Sequence, residues 1–191
     1  METVVNPLPY KIAVLVYVFD DVGRMLLLHR VKAPNQNLYS PIGGKLEQAI
    51  GESPYACALR EIKEEIDIQL ALGDIRLLGM VSERAFEGQT HWLMFCFEVT
   101  RPLNFPERTM NEGRLEWVVP EKMLELPIPD TDRAVIWPLV RQHSWGLNPQ
   151  RRGVESTFAV YIDCRQAGAL RATVEHPVAR LHNGAASEPR P

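Results

Sequence analysis

Gly43-Gly44-Lys45-Leu46-Glu47, followed by Gly51-Glu52 and Arg60-Glu61-Ile62-Lys63-Glu64-Glu65, sets a glycine pair and five carboxylates within residues 43–65. The local signals around the second half specify a helix. Ser53 is a good N-cap and Pro54 suits the first helical position. No Gly or Pro interrupts the run from Tyr55 to Ile68. At roughly 100° per residue, Tyr55, Leu59, Ile62 and Ile66 share a narrow apolar stripe. Glu61, Glu64 and Glu65 fall together on the nearly opposite side. One face is therefore expected to bury against a core and the other to carry a tight acidic patch. Like charges at these spacings repel by a few tenths of a kcal/mol per pair, so helix stability does not explain the cluster. Hard divalent cations such as Mg²⁺ or Mn²⁺ prefer oxygen ligands. The glycine pair permits close backbone approach, and a bare carbonyl there can join the ligands. Glu47 and Glu52 add charge beside it, and Arg60 can hold a carboxylate through paired N–H bonds.

This stretch resembles the Nudix box of the Nudix hydrolases, G-x5-E-x7-R-E-U-x-E-E-x-G-U, where U is apolar. Glu52, Arg60, Glu61, Ile62, Glu64, Glu65, Ile66 and Ile68 match in register, and the box spans residues 44–68. There are two departures. Seven residues instead of five separate Gly44 from Glu52, so Gln48-Ala49-Ile50 reads as the site of a two-residue insertion. Loop insertions of this kind cost little. The family's late Gly is Asp67, which tolerates the left-handed conformation better than most residues. Tyr39-Ser40-Pro41-Ile42-Gly43-Gly44 is similar to the Trp-Asn-x-x-Gly-Gly lead-in of the MutT-like oxidised-purine nucleoside triphosphatases, with Tyr for Trp and Ser for Asn.

The rest of the chain is consistent with one such domain. At 191 residues and 46% hydrophobic content, a sizeable single core is expected. A net charge of −3 provides no field to attract a nucleic-acid polymer. No signal peptide or membrane span is read; the longest early apolar run, Ile12–Phe19, is far too short to cross a bilayer. Cys57, Cys96 and Cys164 form neither a zinc pattern nor a disulfide framework, and a reducing cytoplasm is the simplest setting. Cys57 reads as a small packing residue.

Apolar patterning predicts mixed α/β structure. Tyr10–Asp20 and Arg24–Arg30 read as a hairpin around Asp20-Asp21-Val22-Gly23. Ile75–Phe86 and Thr90–Thr100 read as strands joined at Glu87-Gly88-Gln89. A Pro-containing loop, Arg101–Arg114, precedes a short strand at Leu115–Val119. Pro120–Glu125 reads as a helical turn. Asp130 or Thr131 can cap a helix to about His143, kinked by Pro138. The resemblance implies the Nudix α/β/α sandwich with a mixed central sheet over residues 8–145. Beyond it, residues 146–178 read as a C-terminal β-hairpin extension, with strands Thr157–Cys164 and Ala169–Glu175. That hairpin is expected to add a sheet edge or a homodimer contact, with cover over the substrate pocket as the lesser alternative. Residues 179–191 read as a disordered tail.

The resemblance also implies a reaction: metal-dependent hydrolysis of a nucleoside diphosphate linked to another moiety, with Mg²⁺ or Mn²⁺. By motif position, Glu64 and Glu65 are expected metal ligands, joined by the Gly44 carbonyl. Glu61 is expected as a ligand or the general base, and Glu52 as a ligand or the group that orients Arg60. Glu112, ahead of Trp117, is the expected additional acid from a distant loop, with Glu116 as competitor. Lys45 is a candidate phosphate contact. Tyr39, Ser40 and Trp117 are candidate substrate contacts, and Phe86 is a further candidate stacking group. Asp130 and Asp132, ahead of Ile136-Trp137-Pro138-Leu139, resemble the acidic residues that read the base edge in the oxidised-purine enzymes. The expected substrate is a small-molecule nucleotide, a (d)NTP or oxidised purine (d)NTP, giving nucleoside monophosphate and pyrophosphate. ADP-ribose, a dinucleoside polyphosphate or a sugar nucleotide is the alternative within the fold. A non-catalytic nucleotide-binding regulatory module is the alternative outside catalysis.

Overall fold

The computed structural model describes residues 7–33, 35–166 and 168–177. The strands are β1 (Tyr10–Tyr17), β2 (Met25–Arg30), β3 (Tyr39–Ser40), β4 (Ile75–Phe86), β5 (Thr90–Val99), β6 (Arg108–Met110), β7 (Gly113–Val118), β8 (Phe158–Asp163) and β9 (Arg171–His176). The helices are α1 (Pro54–Ile66) and α2 (Trp137–His143). A mixed sheet runs β1-β5-β4-β8-β9 and an antiparallel sheet runs β3-β2-β7-β6. In the first, β1 is parallel to β5 and β4 is parallel to β8.

Alternation along β1 divides the core into two layers. Val14 and Val16 face α1, where they pack with Cys57, Ala58, Ile62 and Ile66. Leu15 and Tyr17 face the other way and pack with Ile136, Trp137 and Val140. The strands therefore lie between two helical layers, which is the α/β/α arrangement expected. Among the described residues no helix is long and apolar enough to cross a membrane.

The first hairpin is only half right. Its turn forms where expected, and Asp20 accepts from the Val22 and Arg24 amides at 3.1 and 2.7 Å. The ladder then stops after Leu26 N–H bonds the Val18 carbonyl. Both edges of β1 are taken by other segments. β5 pairs one edge, and residues 42–46 pair the other through bonds from Val14 to Gly44 O, Val16 to Ile42 O and Leu46 to Ile12 O. So β2 crosses into the second sheet. The expected loop at 101–114 also contains β6, which pairs with β7 and turns tightly at residues 111–112.

The capping signals of α1 hold. Ser53 accepts the Ala56 amide at 3.2 Å, and Asp67 takes φ 58° in the left-handed region. The helix that ends at His143 opens with a π turn, Asp132–Ile136, in which Trp137 N–H bonds Asp132 O. Pro138 follows in the first turn of α2. The wider turn accommodates a residue with no N–H and a ring that crowds the preceding turn.

The C-terminal hairpin is present and adds strands to the mixed sheet; the predicted tail at 179–191 lies outside the described residues. Gly79 leaves room for it, because a Cβ there would meet the Phe158 ring at 2.6 Å. A buried ion pair ties the approach to this hairpin. Glu98 is fully buried and lies 2.6 Å from Arg76 Nη2. It also accepts Ser144 Oγ–H at 2.5 Å and the Trp145 and Gly146 amides at 3.0 and 2.7 Å. Arg76 in turn donates to His143 O and Ser156 O. Glu98→Ala strands a guanidinium and several donors, and is expected to lower stability by about 3–5 kcal/mol in urea unfolding.

Candidate active site

The glycine pair is fixed by close approach on both sides. Gly43 has φ 141°, and a Cβ on it would lie 2.2 Å from Val14 O. A Cβ on Gly44 would lie 2.2 Å from Glu61 Oε1. The backbone of residues 43–44 is thereby clamped between β1 and the acidic side of α1. The insertion is absorbed nearby as a short exposed 3-10 turn, Gln48–Ile50, closed by Gly51 at φ 69°.

Arg60 organises the carboxylates. Its Nε and Nη2 donate to the two oxygens of Glu52 at 2.8 and 3.0 Å. Its Nη1 donates to Glu61 at 2.7 Å and to Glu64 at 3.2 Å. Nη2 also reaches Lys45 O at 3.2 Å. Glu52 accepts the Glu47 amide as well, at 2.9 Å. Its bonds to Arg60 hold its carboxyl down at about 2. Both Glu52 oxygens are thus engaged, the arrangement expected of a group that orients Arg60. Cys57 is buried behind this cluster, and burial pushes its thiol up to about 12. That is the character of a packing residue.

The acidic face of α1 carries the expected cluster, but its members differ in exposure. Glu64 is exposed, with 58% of its side chain accessible, but Glu65 is 5% exposed. Burial, then the charges of Glu61 and Glu112, push the Glu65 carboxyl up to about 8. Its Oε2 has no hydrogen-bond partner. Glu61 is also raised, mainly by burial, although Arg60 opposes the shift. The reason is tertiary: residues 41–44 and the β6–β7 turn cover this side of the helix. Glu112 stands in that turn. Its carbonyl accepts the Val31 amide, and its carboxylate lies 3.6 Å from Arg30 Nη2.

One cavity of about 440 Å³ opens beside these groups. Gly44, Lys45, Glu61, Glu64, Glu112 and Arg30 line one part of it. Ser40, Phe86, Trp92, Met94, Glu83 and Asp132 also line it. Ser40, Lys45, Glu112 and Asp132 are therefore brought to one space, as is Phe86. Tyr39 and Trp117 are not among its lining residues. Tyr39 stacks on His29 at 4.4 Å and donates to Glu116 at 3.2 Å. Glu116, engaged by that bond, does not line the cavity either. Trp117 packs on Phe105 and donates its indole N–H to Phe105 O at 3.0 Å. Asp130 is exposed and outside the cavity, and no side-chain cap bond forms at the adjacent helix start.

Arg30, Glu83, Trp92 and Met94 escaped sequence reasoning. Glu83 had a signal: it lies in phase with buried Val81 and Ala85 on β4. An acid in step with a buried face needs a reason to be there. Trp92 is its directly paired neighbour on β5. Arg30 ends an apolar strand and carried no comparable signal.

Residues 9–138 match the NUDIX domain family, and the chain belongs to that family. It is a Nudix hydrolase, a class of enzyme acting on phosphorus-containing acid anhydrides. Its fold is similar to that of the mutator MutT protein from Bacillus halodurans, with a TM-score of 0.63 and 23% identity over 86% of this chain and 97% of that one. A MutT protein from Methanosarcina mazei Go1 aligns with a TM-score of 0.61 and 24% identity, covering 73% and 99% of the two chains. The E. coli dihydroneopterin triphosphate pyrophosphohydrolase aligns with a TM-score of 0.54 and 21% identity, covering 70% and 96%. At these identities the likeness is one of fold.

Nudix hydrolases generally use divalent metal ions. Among the described residues, no group of three or more His, Cys, Asp or Glu side chains is arranged as a finished metal cage. The donors present nevertheless suit such an ion. They are oxygen ligands, they include the orphaned buried Oε2 of Glu65, and they lie beside a glycine pair whose first member, at φ 141° against Val14 O, leaves no room for a Cβ. Gly44→Ala is expected to fold, because its Cβ meets the end of a flexible side chain. Turnover is expected to fall about 10²-fold as Glu61 is pushed aside, measured as phosphate-ester release alongside a thermal melt.

Proposed function

We propose that this chain cleaves a nucleoside triphosphate, a (d)NTP or oxidised purine (d)NTP, to nucleoside monophosphate and pyrophosphate. The observation that carries this reading is that one cavity joins the two kinds of lining. The same space is lined by Gly44, Glu61 and Glu64 of the box and by Trp92, Phe86 and Asp132. A charged chain and a planar group can therefore lie in it together.

Glu64, Glu65 and the Gly44 carbonyl are the groups that would hold Mg²⁺ or Mn²⁺, with Glu112 facing them. A bound divalent ion supplies charge neutralisation on the phosphates and a more acidic water. The chain's own contribution is position. Arg60 fixes Glu61 by a charge-assisted bond, so the carboxylate does not reorganise during the reaction. Glu61 would accept the proton of the attacking water, or serve as a ligand while another carboxylate does so. Water oxygen joins one phosphorus, the bridging P–O bond breaks, and pyrophosphate leaves with the bond's electron pair. Lys45, exposed at the cavity margin, would meet a phosphate oxygen.

Hydrolysis of a panel tests this: 8-oxo-dGTP, the common dNTPs, ADP-ribose and a dinucleoside polyphosphate, with products resolved by chromatography. The expected result is Mg²⁺-dependent monophosphate and pyrophosphate from a triphosphate, abolished by EDTA. Glu64→Gln is expected to lower kcat by about 10²-fold or more. Turnover of ADP-ribose or the dinucleotide alone would overturn the triphosphate reading.

A further inference from the structure

The two ends of the mixed sheet are finished differently. At one end residues 42–46 close the outer edge of β1 through three backbone bonds. At the other end stands β9, last in the order β1-β5-β4-β8-β9. All six of its residues are exposed. Among the described residues its backbone pairs only with β8. Its outer row of N–H and C=O groups is therefore a template for another strand. The antiparallel sheet offers nothing comparable, because its outermost strands, β3 and β6, have two and three residues. No Pro or Lys stands in β9 to block such pairing. It carries one bulge, at Glu175, which has no partner on β8. That bulge lies near the strand's end, so residues 171–174 keep a regular ladder.

The side chains of β9 select the partner. Arg171 and Glu175 carry opposite charges toward its two ends, and among the described residues neither has an ion pair or a side-chain hydrogen bond. When two copies of one strand pair antiparallel, the two-fold axis passes through a residue that faces its own counterpart. With Thr173 on the axis, Arg171 faces Glu175 of the second copy, and Glu175 faces Arg171. Ala172 then faces Val174, and Thr173 faces Thr173. Opposite charges, apolar groups and paired threonines are each favourable directly across an antiparallel ladder. Placing the axis at Arg171 or Glu175 sets like charges opposite each other. Placing it at Ala172 or Val174 leaves neither charge facing its opposite.

We propose that β9 is an interface between two copies of this chain, which pair antiparallel about Thr173 and join their mixed sheets, five strands from each, into one. The contact is isologous and uses the open edge of both mixed sheets, so assembly stops at two copies. It is independent of the substrate, since no residue of β8 or β9 lines the cavity. A single strand pair is a small contact, so monomer and dimer are expected to exchange at roughly micromolar concentrations.

Sedimentation velocity of the full chain over about 5–500 µM tests this. The expected result is a concentration-dependent dimer. Arg171→Glu sets carboxylates opposite each other twice across the axis, and Glu175→Arg does the same with guanidiniums. Each is expected to raise the dimer Kd by about tenfold or more. Both side chains are exposed, so far-UV circular dichroism is expected to stay as in the wild type. An equimolar mixture of the two variants puts opposite charges at both positions again, and is expected to return the Kd to within about threefold of wild type. A wild-type monomer throughout that range would overturn the proposal. So would a dimer equally tight in both single variants, which would place the contact on another surface. Dimer loss in the single variants without recovery in the mixture would overturn the pairing about Thr173.

Discussion

Arg60 is the contact on which the catalytic side of this molecule depends. Glu52, Glu61 and Glu64 would repel one another if they were left to water and helix geometry. A single guanidinium with five fixed donors lets all three share one small region. It also bonds the carbonyl of Lys45, so the loop carrying the glycine pair and the helix carrying the acids are held as one unit. A lysine could neutralise the charge but could not span five acceptor oxygens on four residues.

Around that contact the fold performs a second task, the partial removal of acids from water. Covering α1 with residues 41–44 and the β6–β7 turn buries Glu65 and crowds it with Glu61 and Glu112. Such a site is uncomfortable for bare carboxylates, and a cation would relieve that discomfort. Glu83 repeats this burial elsewhere on the cavity wall, with one oxygen that has no hydrogen-bond partner.

Local rules carried the reading where the deciding forces were local. Ser53, Pro54 and Asp67 bounded the helix because capping and left-handed tolerance involve only neighbours. The turn at Glu87-Gly88-Gln89 formed for the same reason, with Glu87 and Gly88 at positive φ. The local rules failed where two distant segments competed for one edge. β1 could not keep β2 as its ladder partner once residues 42–46 and β5 had occupied it. Tyr39 and Trp117 were reasonable stacking candidates by residue type. Each found a partner, His29 with Glu116 and Phe105, that no spacing could reveal.

The sequence by itself determined the helix, its acidic cluster, the glycine pair and the family, because each rests on spacing within a few turns of chain. It also determined that Glu112 and Asp132 were worth watching. Only the tertiary structure decided which acids are buried, since burial depends on what packs over a side chain and not on its neighbours in sequence. It made Glu65 an orphaned acid, turned Glu52 into the anchor of Arg60, and set Glu83 opposite Trp92 on the wall of a shared cavity. Desolvation acts through the whole surrounding volume, and that volume exists only once the sheets and both helical layers have met.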